Sequence, residues 1–148
     1  MITNESCGLR PLDRPDCLWR LTHAVVGRVA WAGCGGRAVL VPVNFVIDGP
    51  GIVFLTAAGG HLFEAVRSRS RLTFEADGTG PASDEGWSVL LSGRPEIITD
   101  RGKVRSLEQH PLAAWARVPH RRFVRMAAEE ITGHVMPLRR AGTEGPAG

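Results

Sequence analysis

The sequence has no tyrosine, a single lysine (Lys103) among 18 Lys and Arg, and aromatic residues at only 6%. So few flat side chains leave little from which to build a base-stacking platform, and no nucleic-acid partner is expected. The basic residues are arginines spread along the chain, so a net charge of +3 describes an arginine-rich globular protein rather than a basic tail. Every apolar run falls short of the roughly 20 residues that a membrane-spanning helix requires, so no membrane partner is expected either. Three cysteines, Cys7, Cys17 and Cys34, form no CxxC pair. That spacing points to reduced thiols, not to a disulfide framework or a zinc site. Together with a polar, acid-bearing N-terminus unlike a signal peptide, it predicts a cytoplasmic protein. Serine has no GxSxG context. His23, His61, His110, His120 and His134 lack HExxH or similar spacing, so no metal site is read.

What is present suits one small domain. The chain has 148 residues and is 43% hydrophobic, enough for a core of its own. Residues 1–13 read as a flexible N-terminal arm, 14–138 as the folded domain and 139–148, rich in Gly and Pro, as a disordered tail. A helix is predicted from Arg14, capped by Asp13 with Pro15 in its first turn. Strand patterns follow at 27–32, 37–47, 52–56, 71–76, 87–99 and 122–127, with a last turn or strand over 129–135. GCGG at 33–36 and DGPG at 48–51 read as turns, and Gly93 with Pro95 as a bulge that bends the longest strand. Short helices are predicted at 61–69 and 100–108, and HPLAAWARVPH as irregular. Several short strands, few helices and many Gly/Pro turns make the fold class mainly β with short helices, a small closed or partly closed barrel.

One stretch, VPVNFVIDGPGIVFLTAAGGH at 41–61, carries the richest chemistry. Pro42 has no N–H, which demands an edge or a bulge and frees neighbouring strand groups for a ligand. Asn44 supplies both a donor and an acceptor. Thr56 ends its strand with a hydroxyl. Gly59 and Gly60 let the backbone approach a ligand closely and lead into a helix N-terminus, with His61 in its first turn.

The ordered series G-R-V-A, V-P-V-N-F-V-I-D-G, I-V-F-L-T-A-A-G, F-E-A-D, G-W-S-V-x-x-x-G-R-P, P-L-A-A-W-A and I-T-G-H-V resembles the pyridoxamine 5'-phosphate oxidase-like flavoproteins of actinobacteria. The resemblance covers roughly residues 14–137. It implies a six-stranded split β-barrel of the FMN-binding type that pairs into a homodimer, with flavin in a groove at the interface. It implies cofactor contacts at Pro42, Val43, Asn44 and Phe45 on one strand and at Thr56 on the next. Gly60 and His61 would lie on the phosphate loop, and Trp87, Ser88 and Val89 near the ring. The chain departs from the family pattern where relatives carry a Lys or Arg after the Gly loop: here the residue is His61. A neutral imidazole still donates one hydrogen bond to a phosphate but grips it less strongly than an ammonium.

The function so implied is an FMN-dependent oxidoreductase that passes a hydride or electrons to a small-molecule substrate. The alternatives are an F420-dependent reductase on the same fold, which a weakened phosphate position would suit, and a non-catalytic flavin-binding or sensor dimer. No catalytic side chain is assigned, because flavin chemistry asks the protein mainly for position and electrostatics.

Overall fold

A computed structural model describes residues 8–24, 26–80, 84–115 and 117–138, at 114 and 115 for the backbone alone. In chain order the elements are β1 (Arg10–Leu12), α1 (Arg14–Leu21), β2 (Val26–Ala32), β3 (Ala38–Asp48), β4 (Gly51–Ala57), α2 (His61–Arg67), β5 (Leu72–Thr79), β6 (Glu85–Gly93), β7 (Pro95–Ile97), α3 (Arg101–Glu108), α4 (Pro111–Trp115), β8 (Arg121–Ala127) and β9 (Glu130–Pro137). No helix among the described residues is long and apolar enough to cross a membrane.

Local chemistry accounts for the element ends. The Asp13 carboxylate accepts from the N–H of Asp16 at 2.9 Å and caps α1, with Pro15 in the first turn. The Asp100 carboxylate does the same for α3, accepting from the N–H of Lys103 at 2.8 Å. The Asp-Gly-Pro-Gly segment turns β3 into β4, with Gly49 at φ 57°.

The strands pair antiparallel in the order β1-β9-β6-β5-β2-β3-β4-β8-β7. Two strands change partner midway, and this makes the barrel. Residues 85–97 are one bent strand: β6 pairs with β5, and past Arg94 β7 pairs with β8. The ring β2–β3–β4–β8–β7/β6–β5 therefore closes, with β9 and β1 added outside it on the free edge of β6. The six barrel strands expected from the sequence are this ring. The nine strand segments arise because one ring strand is broken and two more extend the sheet. The bend falls at the Gly93–Pro95 break, where an added Cβ on Gly93 would collide with the carbonyl oxygen of Ala127.

Inward-facing side chains of the ring fill its interior. Val29, Phe45, Phe54, Phe74, Val89, Leu91, Val124 and Met126 belong to one buried cluster, in which the Phe45 and Phe74 rings meet edge to face at 4.7 Å. Cys17 and Leu21 of α1 and Leu62, Ala65 and Val66 of α2 join it. A second cluster lies on the other face of β4: Val53, Leu55 and Phe123 pack under Leu107 of α3 and Leu112 and Ala113 of α4. β4 is thus buried on both faces, which explains its unbroken apolar run IVFL.

Two readings are corrected. The stretch 1–13 is not wholly a loose arm: Arg10–Leu12 is a strand in register with Val135, His134 and Gly133 of β9. Within HPLAAWARVPH a helical turn forms, because Leu112 and Ala113 bury themselves against β4. Residues 1–7 of the expected arm and the expected disordered tail 139–148 lie outside the described residues.

Candidate functional site

The barrel is split between β3 and β4. Their ladder covers only Phe45–Asp48 against Gly51–Phe54. Before Phe45, β3 pairs with β2 alone, from Ala38 to Asn44. After Phe54, β4 pairs with β8 alone, from Leu55 to Ala57. Two strand edges therefore diverge into lips whose backbone groups lack the ladder that would join β3 to β4. Such groups need partners of another kind.

The predicted site residues fall on these lips and beyond them, sorted by strand alternation. Pro42 and Asn44 point away from the barrel interior; Val43 and Phe45 point into it, at 7% and 5% exposure. Val43 and Phe45 can thus meet a ligand in the split only through their backbone. Thr56, on the opposite lip, is the one buried polar side chain among the described residues. Gly60 caps α2, and Gly59 before it takes φ 87°, a left-handed conformation that favours glycine. His61 opens α2 and is exposed.

The loop is held against the start of β8. The N–H of Ala58 donates to the carbonyl of His120 at 2.9 Å, Ala57 pairs with Arg121, and Thr56 pairs with Arg122. Beyond α2 a cleft of about 580 Å³ opens between that helix and the β2–β3 hairpin. Its walls include Trp31, Cys34, Val39, His61, Glu64 and Ser68. Trp31, Cys34 and Val39 were not among the predicted site residues. The GCGG turn carries the signal that finds two of them, since a hairpin closed there sets Trp31 opposite Val39.

The segment Trp87–Val89 is not at the lip. It lies on β6, three strands round the ring from β3, on the opposite wall of the barrel. Trp87 and Val89 are buried in the barrel core, with the indole stacked over Gly78. Ser88 points outward and donates to Glu75 Oε1 at 2.9 Å, while Glu75 Oε2 accepts from Arg28 at 3.0 Å. On the same outer face Val26, Leu40 and Leu90 are 48%, 61% and 39% exposed, interspersed with Thr73, Asp77 and Ser92.

Local electrostatics mark three groups that serve structure. Burial, followed by the nearby Asp13 and Asp16 carboxylates, pushes the Cys17 thiol up, so it stays protonated and inert. The hydrogen bond from Lys103 Nζ at 2.9 Å, with help from Arg125, holds the Asp48 carboxyl below its ordinary range against the opposing effect of desolvation. Asp48 thereby ties the end of β3 to α3 and β8. A peptide hydrogen bond from Arg94 and an ion pair with Arg71 lower the Glu129 carboxyl.

Comparison with known proteins gives concordant findings. A family model described as pyridoxamine 5'-phosphate oxidase matches residues 13–135. The uncharacterized protein Rv3129 of Mycobacterium tuberculosis is 38% identical over 88 residues, which cover 60% of this chain and 77% of that protein. Among solved structures, a candidate pyridoxamine 5'-phosphate oxidase of Corynebacterium glutamicum superposes with a TM-score of 0.71 at 26% identity, over 89% of this chain and 96% of the other. The FAD binding protein of Mycobacterium smegmatis does so with a TM-score of 0.69 at 26% identity, over 86% and 98%.

Proposed function

The chain belongs to the pyridoxamine 5'-phosphate oxidase family, and from that premise we propose that it is a flavin-binding protein, an FMN-dependent oxidoreductase acting on a small molecule. The observation that carries the reading is the split between β3 and β4. Its lips supply the backbone donors and acceptors that the polar edge of an isoalloxazine ring needs. The adjoining cleft supplies flat apolar contact from Trp31 and Val39. Its volume falls within the range of sites that bury a small ligand. The Gly59–Gly60 turn leaves room for a phosphate beside His61: a Cβ added at Gly59 would meet nothing within 4 Å. The residues present therefore fit a flavin, with an imidazole standing where relatives of the family carry a longer cation. That a relative of known structure binds FAD supports the flavin class.

When bound, the flavin would supply reversible hydride and electron transfer. The chain's own part is to hold the ring edge by the β3 lip, orient it against Thr56 and Asn44, and anchor the phosphate through His61. We further propose a homodimer in which the bare outer face of one subunit, with its Trp87–Ser88–Val89 strand, covers the split of the other. F420 is the second reading, favoured by His61 alone, since a weaker phosphate anchor suits a cofactor with a different tail.

The test is titration of the purified protein with FMN, read by quenching of flavin fluorescence. Wild type should bind, His61→Lys should bind about fivefold more tightly and His61→Ala less tightly, as expected for one hydrogen bond gaining or losing charge. Failure of all three to bind FMN overturns the flavin reading. Binding of F420 in its place, seen by that cofactor's single visible band, establishes the second.

A further inference from the structure

A second cleft, of about 510 Å³, lies on the far side of β4 from the split, between α3, the β7–α3 connection and the start of β8. Four arginines reach it: Arg101 and Arg105 from α3, Arg121 and Arg122 from β8. Arg101 and Arg105 are four residues apart and share one helix face. One carboxylate, Glu108, lines the same cleft. The floor is apolar, formed by Phe123, Val104 and Ile97.

Several arginines elsewhere in the fold are held by carboxylates. Arg10 pairs with Glu85 at 2.7 Å, Arg28 with Glu75 at 3.0 Å, and Arg71 with Glu129 and Glu130 at 2.9 and 3.0 Å. None of the four arginines of the cleft forms an ion pair among the described residues. Arg121 donates one N–H to the carbonyl of Ala113 and Arg122 one to the carbonyl of Arg121, both at 3.1 Å. A guanidinium has five N–H donors, so most remain available. Four like charges around one concavity repel one another, and a multiply charged anion relieves that repulsion. Guanidinium forks match phosphate oxygens two at a time, which a lysine does not. The apolar floor and the volume exceed what inorganic phosphate alone would fill and suit an attached flat or apolar body.

We propose that this cleft binds a soluble organic phosphate. The phosphate groups lie between the Arg101/Arg105 pair and the Arg121/Arg122 pair, and the organic body rests on Phe123. The site is distinct from the flavin cleft: the two share no lining residue.

Isothermal titration calorimetry with ADP as probe tests the proposal on the full chain. Wild type should bind ADP with Kd below about 1 mM, and Arg101→Gln/Arg105→Gln should bind it at least tenfold more weakly. Both of those side chains are exposed, so the variant should keep the wild-type circular dichroism and Tm. Arg121→Gln/Arg122→Gln should weaken ADP binding comparably; because Arg121 also holds Ala113, the α3 pair decides if this variant fails to fold. Adenosine should bind far more weakly than ADP, and inorganic pyrophosphate more weakly than ADP. The proposal falls if wild type takes up no ADP, if the α3 variant binds ADP as wild type does, or if adenosine or pyrophosphate matches ADP. It also falls if the α3 variant loses FMN together with ADP, because the arginines would then serve the flavin phosphate. Wild type that binds ADP but not FMN supports this site and removes the flavin reading instead.

Discussion

Asp48 shows how much one side chain can join. It ends β3 next to the DGPG turn and accepts from Lys103 of α3 at 2.9 Å and from Arg125 Nε of β8 at 3.0 Å. Its side chain is only 22% exposed, against 34% and 45% for its partners. The pair is therefore partly screened and is worth about 1 kcal/mol. Because the folded carboxyl is held below its unfolded value, its contribution is complete above the unfolded value of about 3.9 and is lost as pH falls through the lower folded value. Asp48→Asn should thus lower stability by about 1 kcal/mol at pH 7 in urea unfolding, and the gap from wild type should close as the pH drops below about 4. A gap that persists unchanged at low pH would mean that the substitution disturbs packing, not charge. At this scale the sequence was informative where a residue acts on its own neighbours. Asp13 reads as a cap and is one. The role of Asp48 was hidden, because both of its partners lie more than fifty positions away.

The elements follow the same division. The hairpin β3–β4 was legible because Asp-Gly-Pro-Gly stands between two apolar runs, and α2 because Leu62, Phe63 and Val66 recur at helical spacing. β1 was not, since Arg-Pro-Leu has too few residues to show a period and is a strand only by pairing with β9. The bend at Gly93 and Pro95 was readable as a bulge, but not its consequence. It hands one strand from β5 to β8 and closes the barrel, and which partner each half takes is a matter of long-range register. Gly93 makes that hand-over possible: an added Cβ would collide with the Ala127 carbonyl, which is backbone and cannot swing aside. Gly93→Ala should therefore cost about 1–3 kcal/mol in urea unfolding, with an unchanged m value. A neutral result would show that β6 and β7 can part further without opening the ring. The same reasoning explains the candidate site. The residue types of 42–45 and 56–61 were visible in the sequence, whereas the lips on which they lie exist only because the β3–β4 ladder stops at the Phe45–Phe54 pair.

The whole molecule is lopsided. The outer face of β4 and β8 is roofed by α3 and α4 through Leu107, Leu112 and Ala113. The outer face of β3–β2–β5–β6 carries no helix on its exposed apolar positions: Leu40, Val26 and Leu90 stand at 61%, 48% and 39% exposure around the Arg28–Glu75–Ser88 row. Apolar side chains grouped on one bare sheet face are what a self-complementary twofold contact buries, and a polar row inside it would fix the register of the two copies. The split adds a second reason. Its lips are formed within one subunit, but the β6 segment that the family resemblance assigns to the ring lies on the opposite wall of the same barrel. A partner copy can bring its own β6 to the split, so the proposed flavin site would be complete only in the pair. Light scattering at micromolar concentration should therefore give about twice the chain mass of 16.0 kDa. Leu40→Glu combined with Leu90→Glu should shift the protein to monomer, since a charge desolvated at the centre of an apolar contact has no partner there. Neither residue is in the core, so the variant should keep its fold by circular dichroism while losing FMN affinity at least tenfold. A wild type that stays monomeric sinks the dimer, and a monomeric variant that binds FMN as wild type does would place the whole flavin site within one chain.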